Sequence, residues 1–314
     1  MHRKNKRFLI FSVLGVVITP TLAYFVGNKF YKLAMDPNTD KTLILNAPHN
    51  RIKKKKALND IEDKYDALLK KNAFIISFDK LNLQAKKIYN TNKTNNWVIL
   101  CHGFGGINIA AKKAALKFFG FGFNLLIPDL RGFGKTLGNY IGWGWHDRLD
   151  IADWCKSICK ENKEAKIVLW GMSMGASTIM ATCGENLPAN VKAAIEDSGY
   201  SSLWDQFFYQ YKLVYKTPAF PVLALASSFT KAKLGFSFRD VNLINQVKKT
   251  KIPMLFIHGD KDTFVPTQMV NRLYSSCVAK KQKLIIKNSG HVEGMFKNKK
   301  LYWLSVRKFL KEFL

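Results

Sequence analysis

Short apolar runs alternate with longer segments of helical period from about residue 96 to the C terminus. The runs at 97–100, 167–170, 193–195, 252–257 and 284–286 are nearly continuous in hydrophobic character, as strands covered on both faces must be. Between them, segments such as 148–159 and 176–180 read as helices. Strand–helix alternation predicts an α/β fold with a mostly parallel central sheet and helices on both faces. Two earlier runs, 73–78 and 81–89, predict an antiparallel pair at the sheet edge. No internal repeat interrupts the pattern.

The N-terminal pattern differs. Arg3, Lys4, Lys6 and Arg7 precede an almost unbroken apolar stretch over residues 8–27, close to the roughly 20 residues a helix needs to cross a bilayer core. Residues 1–27 are therefore expected to form an uncleaved signal anchor, a single transmembrane helix with the remainder of the chain outside the cell. The alternatives are a secreted protein cleaved near Thr21, Leu22 and Ala23, and a buried core helix. Residues 28–72 are polar and charged, with Arg51 and Lys53 to Lys56 in one cluster. They read as a solvated basic stalk, partly helical over 58–71, ahead of a folded unit at 73–314.

Composition sharpens this picture. The 314 residues are 47% hydrophobic, enough for one substantial core. Fifty basic side chains against twenty-two acidic ones leave a net charge of +28, which favours contact with anionic lipid headgroups or wall polymers. Nucleic acid is disfavoured as a partner, because the excess is spread along the chain and no nucleic-acid motif is present. The five cysteines form no spaced framework. Cys101 and Cys183 read as small core residues, and Cys155 and Cys159 as one helix face, where a bridge fits poorly.

Chemistry is concentrated just past the strand-like runs. Gly171-Met172-Ser173-Met174-Gly175 follows one strand and precedes small helical residues, which is a nucleophile elbow if the strand and helix form. A serine hydroxyl needs a histidine base, and the base needs an acid to hold its tautomer. Asp262 follows the run 252–257, and His291 follows the run 284–286. Ser173, Asp262 and His291 thus fall in the chain order Ser, acid, His at strand ends. Upstream, Cys101-His102-Gly103-Phe104-Gly105-Gly106 follows the run 97–100. Backbone N–H groups of Phe104 and Met174 are the candidate donors for an oxyanion.

Five segments taken in order, His102 to Gly106, Asp129 to Lys135, Gly171 to Gly175, His258 to Pro266 and Ser289 to His291, resemble the motif set of the α/β-hydrolase superfamily. Within it the chain is similar to the bacterial branch related to serine aminopeptidases and monoacylglycerol lipases, over roughly residues 72–314. The resemblance implies an α/β-hydrolase fold, Ser173 as nucleophile, Asp262 as acid, His291 as base, and Phe104 and Met174 as oxyanion donors. It implies no metal or cofactor. Phe133 stands where many relatives carry histidine, so the packing of that loop is the point of departure.

Competing readings are specific. Asp260 rivals Asp262 but fits a turn-shaping role better, and Glu196 and Asp197 read as turn or cap residues. His102 and His258 read as structural histidines. His146 beside Asp147 lacks the further ligands a metal site requires. The insertion at about 199–240, rich in Trp204, Phe207, Phe208, Tyr209, Tyr211 and Tyr215, is expected to form a helical cap over an apolar pocket. Ester hydrolysis on small-molecule acyl substrates is the expected activity. The alternatives are an aminopeptidase-like serine peptidase, which needs a pocket acid for the substrate amine, and a non-catalytic membrane-anchored binding protein of the same fold.

Overall fold

The computed structural model describes residues 20–41 and 56–314. Eight strands form one sheet in the order β1-β2-β4-β3-β5-β6-β7-β8. They are β1 (Lys71–Ile76), β2 (Asn82–Ile88), β3 (Asn96–Cys101), β4 (Asn124–Pro128), β5 (Lys166–Met172), β6 (Val191–Asp197), β7 (Met254–Gly259) and β8 (Lys281–Ile286). The edge hairpin is antiparallel, and β2 also meets β4 antiparallel. All pairings from β4 to β8 are parallel. This is the α/β-hydrolase arrangement that the resemblance implied.

Alternation along the central strands divides the core in two. In β3, Trp97, Ile99 and Cys101 face one layer, while Val98 and Leu100 face the other. In β5, Ile167 and Leu169 oppose Val168 and Trp170 in the same way. This period of two follows from strand geometry. The first layer holds α4 (Asp147–Glu161), α5 (Met174–Cys183), α8 (Leu243–Val247) and α9 (Gln268–Ser276). The second holds α3 (Ile109–Gly120), α10 (Gly294–Lys297) and α11 (Lys299–Phe313), with α2 (Lys56–Asp66) adding Tyr65. Full burial of each large apolar side chain contributes about 1.5–3 kcal/mol, and strands and helices both supply such residues to each layer.

The insertion between β6 and β7 forms the expected cap, built on α6 (Leu203–Tyr215) and α7 (Val222–Leu234). Ser202 caps α6 by accepting from Asp205 N at 3.1 Å. Gly235 ends α7 in the left-handed region, with φ 78°, a conformation that glycine adopts without penalty.

The N-terminal segment departs from expectation. Among the described residues, no helix is long and apolar enough to cross a membrane. Residues 20–27 of the predicted span begin α1 (Pro20–Met35), whose Gly27, Tyr31 and Met35 are buried. A Cβ at Gly27 would lie 2.7 Å from the Phe229 ring on α7, so the two helices touch at that glycine. The predicted stalk holds a helix at Lys56–Asp66, overlapping its expected helical part, but is corrected over residues 28–35. Residues 28–35 continue α1 along the cap instead of running through solvent, because a stripe at i, i+4 and i+8 gives the helix an apolar face to bury. Residues 8–19 of the predicted span, and the cluster from Arg51 to Lys55, lie outside the described residues.

Candidate active site

The turn from β5 into α5 is the geometric centre of the site. Ser173 has φ 54° and ψ −121°, a strained conformation for a residue with a side chain. Its neighbours explain how the strain is held. A Cβ at Gly171 would sit 2.3 Å from the Gly175 carbonyl oxygen, and one at Gly175 would sit 2.1 Å from that of Cys101. Only glycine fits at either place. Ser173 N donates to Asp197 O at 2.8 Å, tying the turn to the end of β6.

Loops after β7 and β8 bring two further side chains to the serine. His291 Nε2 lies 2.8 Å from Ser173 Oγ, and His291 Nδ1 lies 2.7 Å from Asp262 Oδ2. A carboxylate only accepts, so Nδ1 carries the proton and Nε2 is free to accept from the serine hydroxyl. Asp262 Oδ1 accepts from Phe264 N at 2.9 Å and Val265 N at 2.8 Å. Burial would raise the Asp262 carboxyl, but His291 and His258 outweigh it and hold the group well below the usual carboxylate range. The acid is thus ionised and locked in orientation.

Phe104 and Met174 line the same cavity as Ser173. A Cβ at Gly103 would lie 3.4 Å from Ser173 Cβ, which shows how closely the glycine-rich loop approaches. Met174 heads α5, where the N–H has no intrahelical partner. His102 fixes the loop from below: Nδ1 donates to Gly103 O at 2.7 Å and Nε2 accepts from Leu130 N at 3.1 Å. Phe133, the departure from the family pattern, packs edge-on against both His102 and Phe104, with ring centroids 5.3 and 5.5 Å apart.

The competing residues have other partners. Asp260 accepts from Ser289 N at 3.4 Å, within the loops. Glu196 accepts from Gly199 N, and Asp197 from Tyr302 and Ser198 hydroxyls, all beneath the sheet ends. Burial pushes Glu196 up to about 8. His146 Nδ1 lies 2.6 Å from the Tyr140 hydroxyl, and among the described residues no three His, Cys, Asp or Glu gather as a metal site needs.

Above the serine lies a cavity that is partly open to solvent. Its walls are overwhelmingly apolar. The cap contributes Phe207, Tyr211 and Tyr215, while Phe208 faces outward and Trp204 stacks under Arg239. Aromatic composition alone did not separate pocket residues from these. Gln206 and Gln210 each donate through Nε2 to Phe264 O, at 2.9 and 2.7 Å, stitching the cap to the acid loop. Sequence reading missed two contributions. Phe30, Leu33 and Ala34 of α1 also line the cavity, and Trp143 stacks on Phe104 with centroids 5.5 Å apart. A small-residue glycine in the middle of an amphipathic segment, Gly27, was the available signal for the first.

Comparisons with known proteins agree with this fold. Residues 92–232 match the family described as "Serine aminopeptidase, S33". The uncharacterized protein YqkD of Bacillus subtilis is 26% identical over 303 residues, 96% of each chain. The Pyrococcus furiosus esterase Pf2001 superposes with a TM-score of 0.65 at 21% identity, covering 84% of this chain and 97% of that one. The acylaminoacyl peptidase of Pyrococcus horikoshii has a TM-score of 0.60 at 17% identity, covering 81% of this chain and 43% of its own.

Proposed function

The chain belongs to the α/β-hydrolase superfamily, and on that premise we propose that it hydrolyses carboxylic esters through an acyl-enzyme on Ser173. The observation that carries the reading is the unbroken hydrogen-bond chain Ser173–His291–Asp262, with links of 2.8 and 2.7 Å. Ser173 Oγ attacks the ester carbonyl while His291 Nε2 takes its proton. Asp262 stabilises the imidazolium, and the N–H groups of Phe104 and Met174 receive the oxyanion. His291 returns the proton to the leaving alcohol. It then takes a proton from water, whose hydroxide attacks the acyl carbon, and gives that proton to Ser173 Oγ as the carboxylic acid is released.

Ester is favoured over an aminopeptidase substrate by the cavity wall. A free amine requires a carboxylate partner, and no Asp or Glu lines the cavity among the described residues. Residues 1–19 and 42–55 contain no Asp or Glu in sequence, so they have none to add. An apolar wall instead matches the acyl part of an ester.

A fluorophosphonate probe tests the nucleophile. Labelling of the full chain, abolished in a folded Ser173→Ala variant, is expected; absence of labelling in both favours the binding-protein reading. Nitrophenyl esters beside aminoacyl anilides test the substrate class, and preference for the anilides overturns the ester choice. For location, an enzyme outside the cell is the reading, tested by protease access on intact cells. Digestion only after lysis overturns it.

A further inference from the structure

We infer that α1 is the far wall of an acyl-chain channel, and that Phe30 and Leu33 set the length of a linear acyl chain of roughly ten carbons. The inference rests on the ester reading above. It is carried by the α6 residues that line the cavity: Gln206, Phe207, Gln210, Tyr211, Val214 and Tyr215. They recur at the spacing of one helix face, so α6 lies along the cavity.

The two ends of that face differ. Gln206 and Gln210 hold the carbonyl of Phe264, whose ring lies 4.9 Å from the His291 ring. This is the reactive end. Tyr215 lies nine residues beyond Gln206, about 13 Å along a helix that rises 1.5 Å per residue. There the Phe30 ring meets Tyr211 and Tyr215, with centroids 5.8 and 5.5 Å apart. An extended chain advances about 1.2 Å per bond, taking ~3.5 Å for the three bonds of a residue. A span of about 13 Å then takes roughly ten or eleven bonds of acyl chain.

α1 is fixed firmly enough to act as a wall. Trp143 Nε1 donates to Ala34 O at 3.0 Å, and Ile141 N donates to Met35 O at 2.7 Å. Trp143 in turn stacks on Phe104, so the C-terminal turn of α1 is joined to the oxyanion loop. On its other side α1 meets α7 at the Gly27–Phe229 contact. Among the described residues the wall carries one ammonium, Lys41, and its Nζ is held by the carbonyls of Asp36 and Thr39. Hydrocarbon is the chemistry that such a channel accepts. Each added methylene that finds apolar wall is worth about fourfold in kcat/KM.

The experiment is a chain-length series of nitrophenyl esters, from acetate to palmitate, on the full chain and two variants. The unmodified chain should rise in kcat/KM to about ten carbons and then fall. Leu33→Trp, which fills the channel, should lower the decanoate-to-butyrate ratio at least tenfold. Phe30→Ala, which opens the far end, should move the optimum to longer esters. An unchanged length profile in Phe30→Ala overturns the inference, whether or not Leu33→Trp folds, because destabilisation does not reorder substrates. Turnover of none of the esters by the unmodified chain instead overturns the ester reading itself.

Discussion

His258 Nε2 stands 3.2 Å from Asp262 Oδ2, the same oxygen that accepts from His291 Nδ1. One carboxylate oxygen is therefore shared by two imidazoles, and His258 Nε2 also lies 2.9 Å from Val265 O. Both partners accept, so Nε2 carries a proton. On the ester reading, His258 would act through Asp262, holding the acid in place. His258→Phe should lower kcat about tenfold with little change in KM, since one hydrogen bond to a charged group is lost. Asp262→Ala should cost several hundredfold more, because the tautomer of His291 is then unfixed. Steady-state kinetics of both variants on one ester checks the ranking; equal losses would assign His258 a larger part.

Glycine at the elbow is a backbone requirement, and it can be separated from helix propensity. Gly175→Ala should destabilise by about 1–3 kcal/mol or more, because the added Cβ would lie 2.1 Å from Cys101 O and 2.5 Å from His102 O. Gly120→Ala, where nothing lies within 4 Å, should stabilise by about 0.5–1 kcal/mol through the unfolded chain. Thermal unfolding of the two variants should shift in opposite directions.

Arg131 is the most heavily paired buried cation among the described residues. It bonds Asp150 through Nε at 2.6 Å and Asp79 through a second nitrogen at 2.5 Å. With Tyr140 also on the guanidinium, it joins the β1–β2 turn to α4. Arg131→Met strands the buried Asp150 and should cost about 3–5 kcal/mol. Asp150→Leu added to it should recover part of that loss, as read from urea unfolding midpoints.

Glu196 makes stability fall with rising pH. Burial, reinforced by Asp197 and opposed by His258 and the Gly199 N–H, places its folded value at about 8, against an ordinary value of 4.5. The folded state keeps this proton where the unfolded state has released it. Its stabilising contribution is thus complete below about pH 4.5 and is lost as pH rises to about 8. Glu196→Gln keeps an acceptor for Gly199 N and removes the titration. Between pH 5 and 8 the variant should show a flatter unfolding free energy than the unmodified chain; parallel slopes would refute the assignment.

What was legible in the sequence was local. Continuous apolar runs marked β3, β5, β6 and β7, because strands buried on both faces have little room for polar side chains, and the edge strand β8 showed only in its last three residues. Ser173, Asp262 and His291 were legible because each follows such a run, and parallel strands gather their C-terminal loops at one edge of the sheet. The cap was legible as an insertion but not in its parts, since Phe207 toward the cavity and Phe208 away from it are equally hydrophobic.

The chain order of strands, elbow and loops determined which groups reach the catalytic edge. Tertiary packing alone decided what surrounds them. Residues 20–35 carry the hydrophobicity of a membrane segment in their first half and the polarity of a stalk in their second. Neither property states that Gly27 admits the Phe229 ring, or that Phe30 meets two tyrosines some 180 residues downstream. Hydrophobicity specifies that a face must be buried, and only the shape of the partner specifies where.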